Sequence, residues 1–132
     1  MSLVVDASIA VRWFVESPGS SAAARLLEGD EVLLAPDLVV SEVVNVAWKL
    51  VRAGEISREH GARIAGAVGA SFTRLVPAPQ LAERAFALAV ELDHPVYDCL
   101  YLALAERESC PLVTADRRLA AKAGEAMVRL VT

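Results

Sequence analysis

The run Leu3-Val4-Val5 stops on Asp6, and an apolar helical period through Ile9, Val11, Trp13 and Phe14 follows at once. Three such residues suit a short buried strand, and Asp6 or Ser8 can cap the helix that opens behind it. An acid at a strand-to-helix junction falls in the crevice beyond the carboxyl ends of the strands, where open α/β sheets bind ligands. Taken singly, this junction reads equally well as a helix cap. Its weight depends on whether other acids reach the same place.

The rest of the chain alternates in the same way. Helices are expected over Ala22–Glu28, from Pro36 to Arg52, from Ser57 to about Ala70, and over Gln80–Leu92, Val96–Glu108 and Arg117–Ala123. Short strands are expected at Glu31–Ala35, Thr73–Val76, Pro111–Thr114 and Met127–Leu130. Pro36 suits a first helical position, and Gly54 a helix end. Strands alternating with helices predict a three-layer α/β/α sandwich around a five-stranded parallel sheet. The length, 132 residues, suits one domain, and no linker, repeat or low-complexity tract divides it.

Composition narrows the function classes. The chain is 55% hydrophobic with a mean hydropathy of +0.44, yet no apolar run approaches the ~20 residues of a membrane span. No basic segment leads into an apolar stretch at the start, so a secretory signal is not expected and the cytoplasm is the default compartment. Cys99 and Cys110 read as small core residues, and His60 and His94 lack metal-ligand spacing, which disfavours zinc and Cys-His chemistry. The net charge is −4; with four acids set aside as ligands, 13 acidic residues face 13 basic ones. Eleven of those basic residues are arginine, so a phosphate-bearing substrate is permitted.

Asp116 repeats the geometry of Asp6, following the strand Leu112-Val113-Thr114 just before a helix, and it too doubles as a cap. Asp98 lies in Val96-Tyr97-Asp98-Cys99-Leu100-Tyr101-Leu102-Ala103, apolar almost all round and therefore expected to be buried. An unpaired aspartate there is costly, so it marks either a functional crevice or a salt bridge to an arginine. Glu42 falls on another apolar helix and shares a face with Asn45 and Lys49, a stripe that reads as solvent-facing or as the rim of an acidic pocket. Four carboxylates from separate segments, with no histidine or thiolate beside them, suit a hard cation such as Mg²⁺ or Mn²⁺.

Four stretches now line up: Val4-Val5-Asp6-Ala7-Ser8, Ser41-Glu42-Val43-Val44-Asn45, the Asp98 helix above, and Val113-Thr114-Ala115-Asp116-Arg117. Each alone is weak, but in this order and spacing the chain resembles the PIN-domain ribonucleases, and among them the VapC toxins of type II toxin–antitoxin pairs. The resemblance runs from residue 4 to residue 117. It implies a five-stranded parallel sandwich with the acids gathered at the strands' carboxyl edge. Asp6 and Asp98 are then direct Mg²⁺ ligands. Glu42 and Asp116 complete the pocket, directly or through water, and Ser8 and Thr114 assist by hydrogen bonding.

The function so implied is a Mg²⁺-dependent endoribonuclease in which metal-activated water attacks phosphorus, leaving 5′-phosphate and 3′-hydroxyl ends. An RNA substrate, a cognate antitoxin and a homodimer follow from the same resemblance. Arg12, Lys49, Arg117 and Arg118 are candidate phosphate contacts, each equally readable as solvated surface charge. The Trp13-Phe14 region is a candidate surface for a partner that directs an arginine toward the acids, while Trp48 reads as core. Two alternatives stand beside this: a PIN fold used only for binding, and a phospho-acceptor domain of receiver type. The latter lacks a second acid at the first strand and a late lysine in the right place.

Overall fold

In the computed structural model, which describes residues 1–124 and 126–131, five parallel strands form one sheet in the order β3-β2-β1-β4-β5. The strands are β1 (Ser2–Val5), β2 (Val32–Pro36), β3 (Arg74–Val76), β4 (Leu112–Thr114) and β5 (Val128–Leu130). Seven α-helices join and flank them: α1 (Ala7–Ala10), α2 (Ser20–Glu28), α3 (Leu38–Arg52), α4 (Arg58–Ala67), α5 (Ala82–Leu92), α6 (Val96–Glu108) and α7 (Arg117–Ala123). The expected sandwich is therefore the observed one.

The chain first builds outward from β1 to β2 and β3, then returns to the other side of β1 for β4 and β5. Parallel crossovers are right-handed, so this reversal puts α1–α4 on one face and α5–α7 on the other. Between β1 and β4 the connections diverge to opposite faces and leave a crevice at the carboxyl edge. Val4 pairs with Leu112 and Val5 with Val113, which sets the residues just beyond, Asp6 and Thr114, side by side at that opening.

Both faces of the sheet are covered, and the strands are correspondingly apolar. Leu3, Val4, Val5, Leu34, Ala35, Leu112 and Val113 are each at most 1% exposed. Helix α6 crosses this centre, and every residue from Cys99 to Ala105 is buried. On α3 the buried positions Val39, Val43 and Ala47 recur every four residues, giving one apolar face.

Element boundaries shift where proline, glycine or bulky residues act locally. Pro36 ends β2 rather than opening α3: it pairs in register with Val76, its fixed φ being compatible with extended backbone. The first helix closes after four residues and tightens into a 3₁₀ turn, Val11–Trp13, where the indole Nε1 of Trp13 donates to Ala23 O at 2.9 Å. Helix α4 stops at Ala67, and a 3₁₀ turn follows over Gly69–Ser71, as the poor helix propensity of Gly66 and Gly69 favours. Among the described residues, no helix is long and apolar enough to cross a membrane.

Candidate active site at the carboxyl edge of the sheet

Asp6 leaves β1 and turns directly into the cap of α1, where Ile9 N–H donates to its Oδ1 at 3.4 Å. Two hydroxyls complete its surroundings: Ser8 Oγ donates to Oδ1 and Thr114 Oγ1 to Oδ2, each at 2.5 Å. Those hydroxyls are themselves aimed by the chain after β4, since Ala115 N–H donates to Ser8 Oγ and Asp116 N–H to Thr114 Oγ1, both at 3.0 Å. Each hydroxyl thus accepts from a backbone N–H and donates its own hydrogen to Asp6. Asp6 is 6% exposed. Burial pushes its carboxyl up to about 6; the bonds from Ser8, Thr114 and Ile9 oppose that, and the charge of Asp98 adds to it.

Asp116 is the cap of α7, its Oδ1 accepting from the N–H groups of Arg118 and Leu119 at 2.9 and 3.2 Å. The cap is thus formed at both Asp6 and Asp116, and at Asp6 the crevice reading is realised beside it. The same carboxylate that starts the helix stands at the sheet edge. Asp116 joins the Asp6 cluster through its own backbone N–H and Thr114.

Glu42 projects half-buried from the first half of α3. Its Oε1 accepts from the hydroxyl of Tyr101 on α6 at 2.5 Å. Burial raises its pKa, the Tyr101 bond lowers it, and Asp98 raises it again.

Asp98 sits in the first turn of α6, and its side chain is 30% exposed. The expectation of full burial fails because the apolar surroundings begin one residue later, at Cys99. Its partner is neither an arginine nor absent: His94 Nε2 lies 2.6 Å from Asp98 Oδ2, with the imidazole only 3% exposed. The expectation of no histidine beside the acids is therefore corrected. His94 and Asp98 are four residues apart across Pro95, a spacing that brings side chains together on a helix. That spacing was the available signal, and Asp93-His94-Pro95 reads more readily as a helix stop.

Asp98 raises the pKa of both Asp6 and Glu42, so three carboxylates from β1, α3 and α6 share one field. Among the described residues, no lysine or arginine is ion-paired with any of these three or with Asp116. The donor set is all oxygen and suits a hard divalent ion. With the carboxylates turned to Ser8, Thr114, Tyr101 and His94, no group of three or more His, Cys, Asp or Glu among the described residues is arranged to hold a metal directly.

The PIN domain family pattern matches residues 3–125, nearly the whole chain. The chain belongs to the PIN-domain family. Ribonuclease VapC3 of Pyrobaculum aerophilum is 35% identical to this PIN domain over 124 residues, spanning 92% of this chain and 95% of the relative. Ribonuclease VapC12 of Mycobacterium tuberculosis is 35% identical over 122 residues, spanning 92% of each. The crystal structure of PAE2754 from Pyrobaculum aerophilum superposes with a TM-score of 0.75 at 28% identity, covering 97% of this chain and 83% of that one. A chain of a toxin–antitoxin complex from Klebsiella pneumoniae shares the fold, with a TM-score of 0.73 at 21% identity over 96% of this chain and 95% of that one. Membership of the family leaves no role for the receiver-type alternative.

Around the acids of this PIN domain the remaining candidates divide. Asn45 and Lys49 are exposed on α3, so the stripe they form with Glu42 is solvent-facing along most of its length. Arg117 and Arg118 are exposed at the start of α7, whereas Arg12 is partly buried and its Nη1 finds no partner among the described residues. Trp13 packs its ring on Phe72, with centroids 5.3 Å apart, and is fixed by its bond to Ala23. It is built into the fold, with part of its surface left open to solvent. Trp48, expected in the core, is 54% exposed, with the Arg52 guanidinium 5.4 Å from its ring centroid. It follows the buried Ala47 by one residue, about 100° around the helix and off the apolar face.

Proposed function

We propose that this PIN domain is a Mg²⁺- or Mn²⁺-dependent endoribonuclease and the toxin of a toxin–antitoxin pair. The observation that carries the reading is the common field of Asp6, Glu42 and Asp98 at the sheet's switch point, in a chain whose relatives bear the name Ribonuclease VapC. Asp6 and Asp98 would hold the ion, with Glu42 and Asp116 completing the pocket directly or through water. Bound there, the ion would remove the repulsion among the carboxylates and activate water for attack on a phosphodiester.

The chain's own groups prepare that pocket. Ser8 and Thr114 fix both oxygens of Asp6, and His94 fixes one oxygen of Asp98, the kind of outer support that orients ligating carboxylates. The exposed Arg117 and Arg118 open α7 immediately after Asp116, and they can meet phosphate groups of an RNA entering the crevice. Water as attacking group leaves 5′-phosphate and 3′-hydroxyl ends.

An antitoxin that silences the enzyme is expected to bring an arginine to the acids. A homodimer is also part of the proposal. Phe86 and Val90, one turn apart on α5, are 65% and 68% exposed, and nearby Tyr97 is 65% exposed. Incubating total RNA with the wild-type chain and with Asp98→Asn, in Mg²⁺ and in chelator, tests the central claim. Cleavage is expected only for the wild type in Mg²⁺. Equal cleavage by the variant would remove the site assignment, and no cleavage by either would favour a PIN fold used only for binding.

A further inference from the structure

Tyr101 stands one turn beyond Asp98 on α6 and is 1% exposed. A phenol so deeply placed requires a partner for its hydroxyl, and here the partner is the carboxylate of Glu42 at 2.5 Å. Since α3 and α6 lie on opposite faces of the sheet, this single bond bridges the two layers over the carboxyl edge, where the acids gather.

Among the described residues, the Tyr101 hydroxyl is what hydrogen-bonds the Glu42 carboxylate and favours its inward position. Its neighbours along the stripe, Asn45 and Lys49, are exposed, so a long flexible side chain has open water available to it. The Asp98 carboxylate repels it inside the crevice, and the Tyr101 hydrogen bond works against that repulsion. The phenol is the donor of this bond and the carboxylate its acceptor.

We propose that Tyr101 is a positioning residue: its hydroxyl holds the Glu42 carboxylate in the crevice beside Asp98, where solvation and repulsion would otherwise turn it outward. The choice of a divalent cation as the species served rests on the nuclease reading above. A phenylalanine would fill the same space in α6 and lose only the hydrogen bond, which makes Tyr101→Phe the direct test.

The experiment is a titration of Mn²⁺ alone, followed by the loss of its free-ion paramagnetic resonance signal, into the wild type, Tyr101→Phe, Glu42→Gln and the double variant. Tyr101→Phe is expected to bind about tenfold more weakly than wild type, and the double variant no more weakly than Glu42→Gln alone, because the two residues act as one unit. A crystal structure of metal-free Tyr101→Phe should show the Glu42 side chain turned into solvent. Wild-type affinity in Tyr101→Phe, a loss that adds to that of Glu42→Gln, or an unmoved Glu42 would each overturn the assignment. A wild-type chain that binds Mn²⁺ yet leaves RNA intact would defeat the nuclease proposal and leave the role of Tyr101 standing.

Discussion

His94 Nε2 and Asp98 Oδ2 are 2.6 Å apart, a buried imidazole holding a carboxylate that is itself partly open to solvent. An ionised carboxylate only accepts, so Nε2 carries the proton of this bond. The loop is fixed in turn: His94 N–H donates to Ala89 O at 3.2 Å, and the Cys99 thiol lies 3.8 Å from His94 O. His94→Ala should lower the rate of RNA cleavage about ten- to hundredfold. His94→Gln, whose amide nitrogen can take the place of Nε2, should recover most of it. Comparable rates in all three proteins, each folded by circular dichroism, would show that this bond is irrelevant to the reaction.

Asp6 should make stability fall as pH rises. Its carboxyl is raised to about 6 from 3.8, so between those values the folded state binds more protons than the unfolded one and the slope is negative. The stabilisation present at pH 4 and lost by pH 6 to 7 is on the order of 3 kcal/mol for this group. Urea unfolding at a series of pH values, beside Asp6→Asn, isolates it: the difference between the two proteins should grow across that interval. Cleavage should show the opposite trend and fall at acid pH, at a midpoint that moves lower as Mg²⁺ is raised, because proton and ion compete for the same carboxylate.

Repulsion gives a third expectation. Asp98 raises both Asp6 and Glu42, so Asp98→Asn should raise the melting temperature of the metal-free protein by about 2–5 °C while abolishing cleavage. The amide oxygen can still accept from His94, which keeps the fold comparison fair. A lower melting temperature in chelator would mean that the bond to His94 outweighs the repulsion.

Trp13→Ala should be a stability variant. The ring packs on Phe72 and its N–H is bonded to Ala23 O, so truncation removes packing and leaves a carbonyl without its donor. A loss of about 3 kcal/mol is expected in denaturant unfolding. Wild-type stability together with weakened antitoxin binding would instead restore Trp13 as a docking surface.

The strands, with Asp6 and Asp116 behind two of them, were legible because the signal is local: a short apolar run, then an acid that caps a helix. What was hidden depends on partners brought from elsewhere. Thr114 was placed near the crevice, but its bond to Asp6 spans 108 residues of chain and follows from β1–β4 pairing. Tyr101 looked like one more core residue of α6, and only the fold reveals Glu42 at the end of its ring. His94 was concealed by Pro95, which marks a helix start here and a helix stop in an isolated reading. Trp48 was legible in principle, since the period of Val39, Val43 and Ala47 excludes it from the buried face, but hydrophobicity alone pointed inward.

The central strand is made well before its neighbour β4 and is completed only by it. Asp6 leaves the ribosome long before Leu112, where the strand beside it, β4, begins. At about 5–20 residues per second, several seconds pass before Thr114 can reach Asp6. Throughout that interval the crevice lacks one wall, as well as the segment that aims Ser8. A nascent chain therefore carries its first acid without a working pocket around it, and any chain broken before β4 stays in that state. For a protein proposed to cut RNA, this order of assembly delays the hazard until β4 has been made.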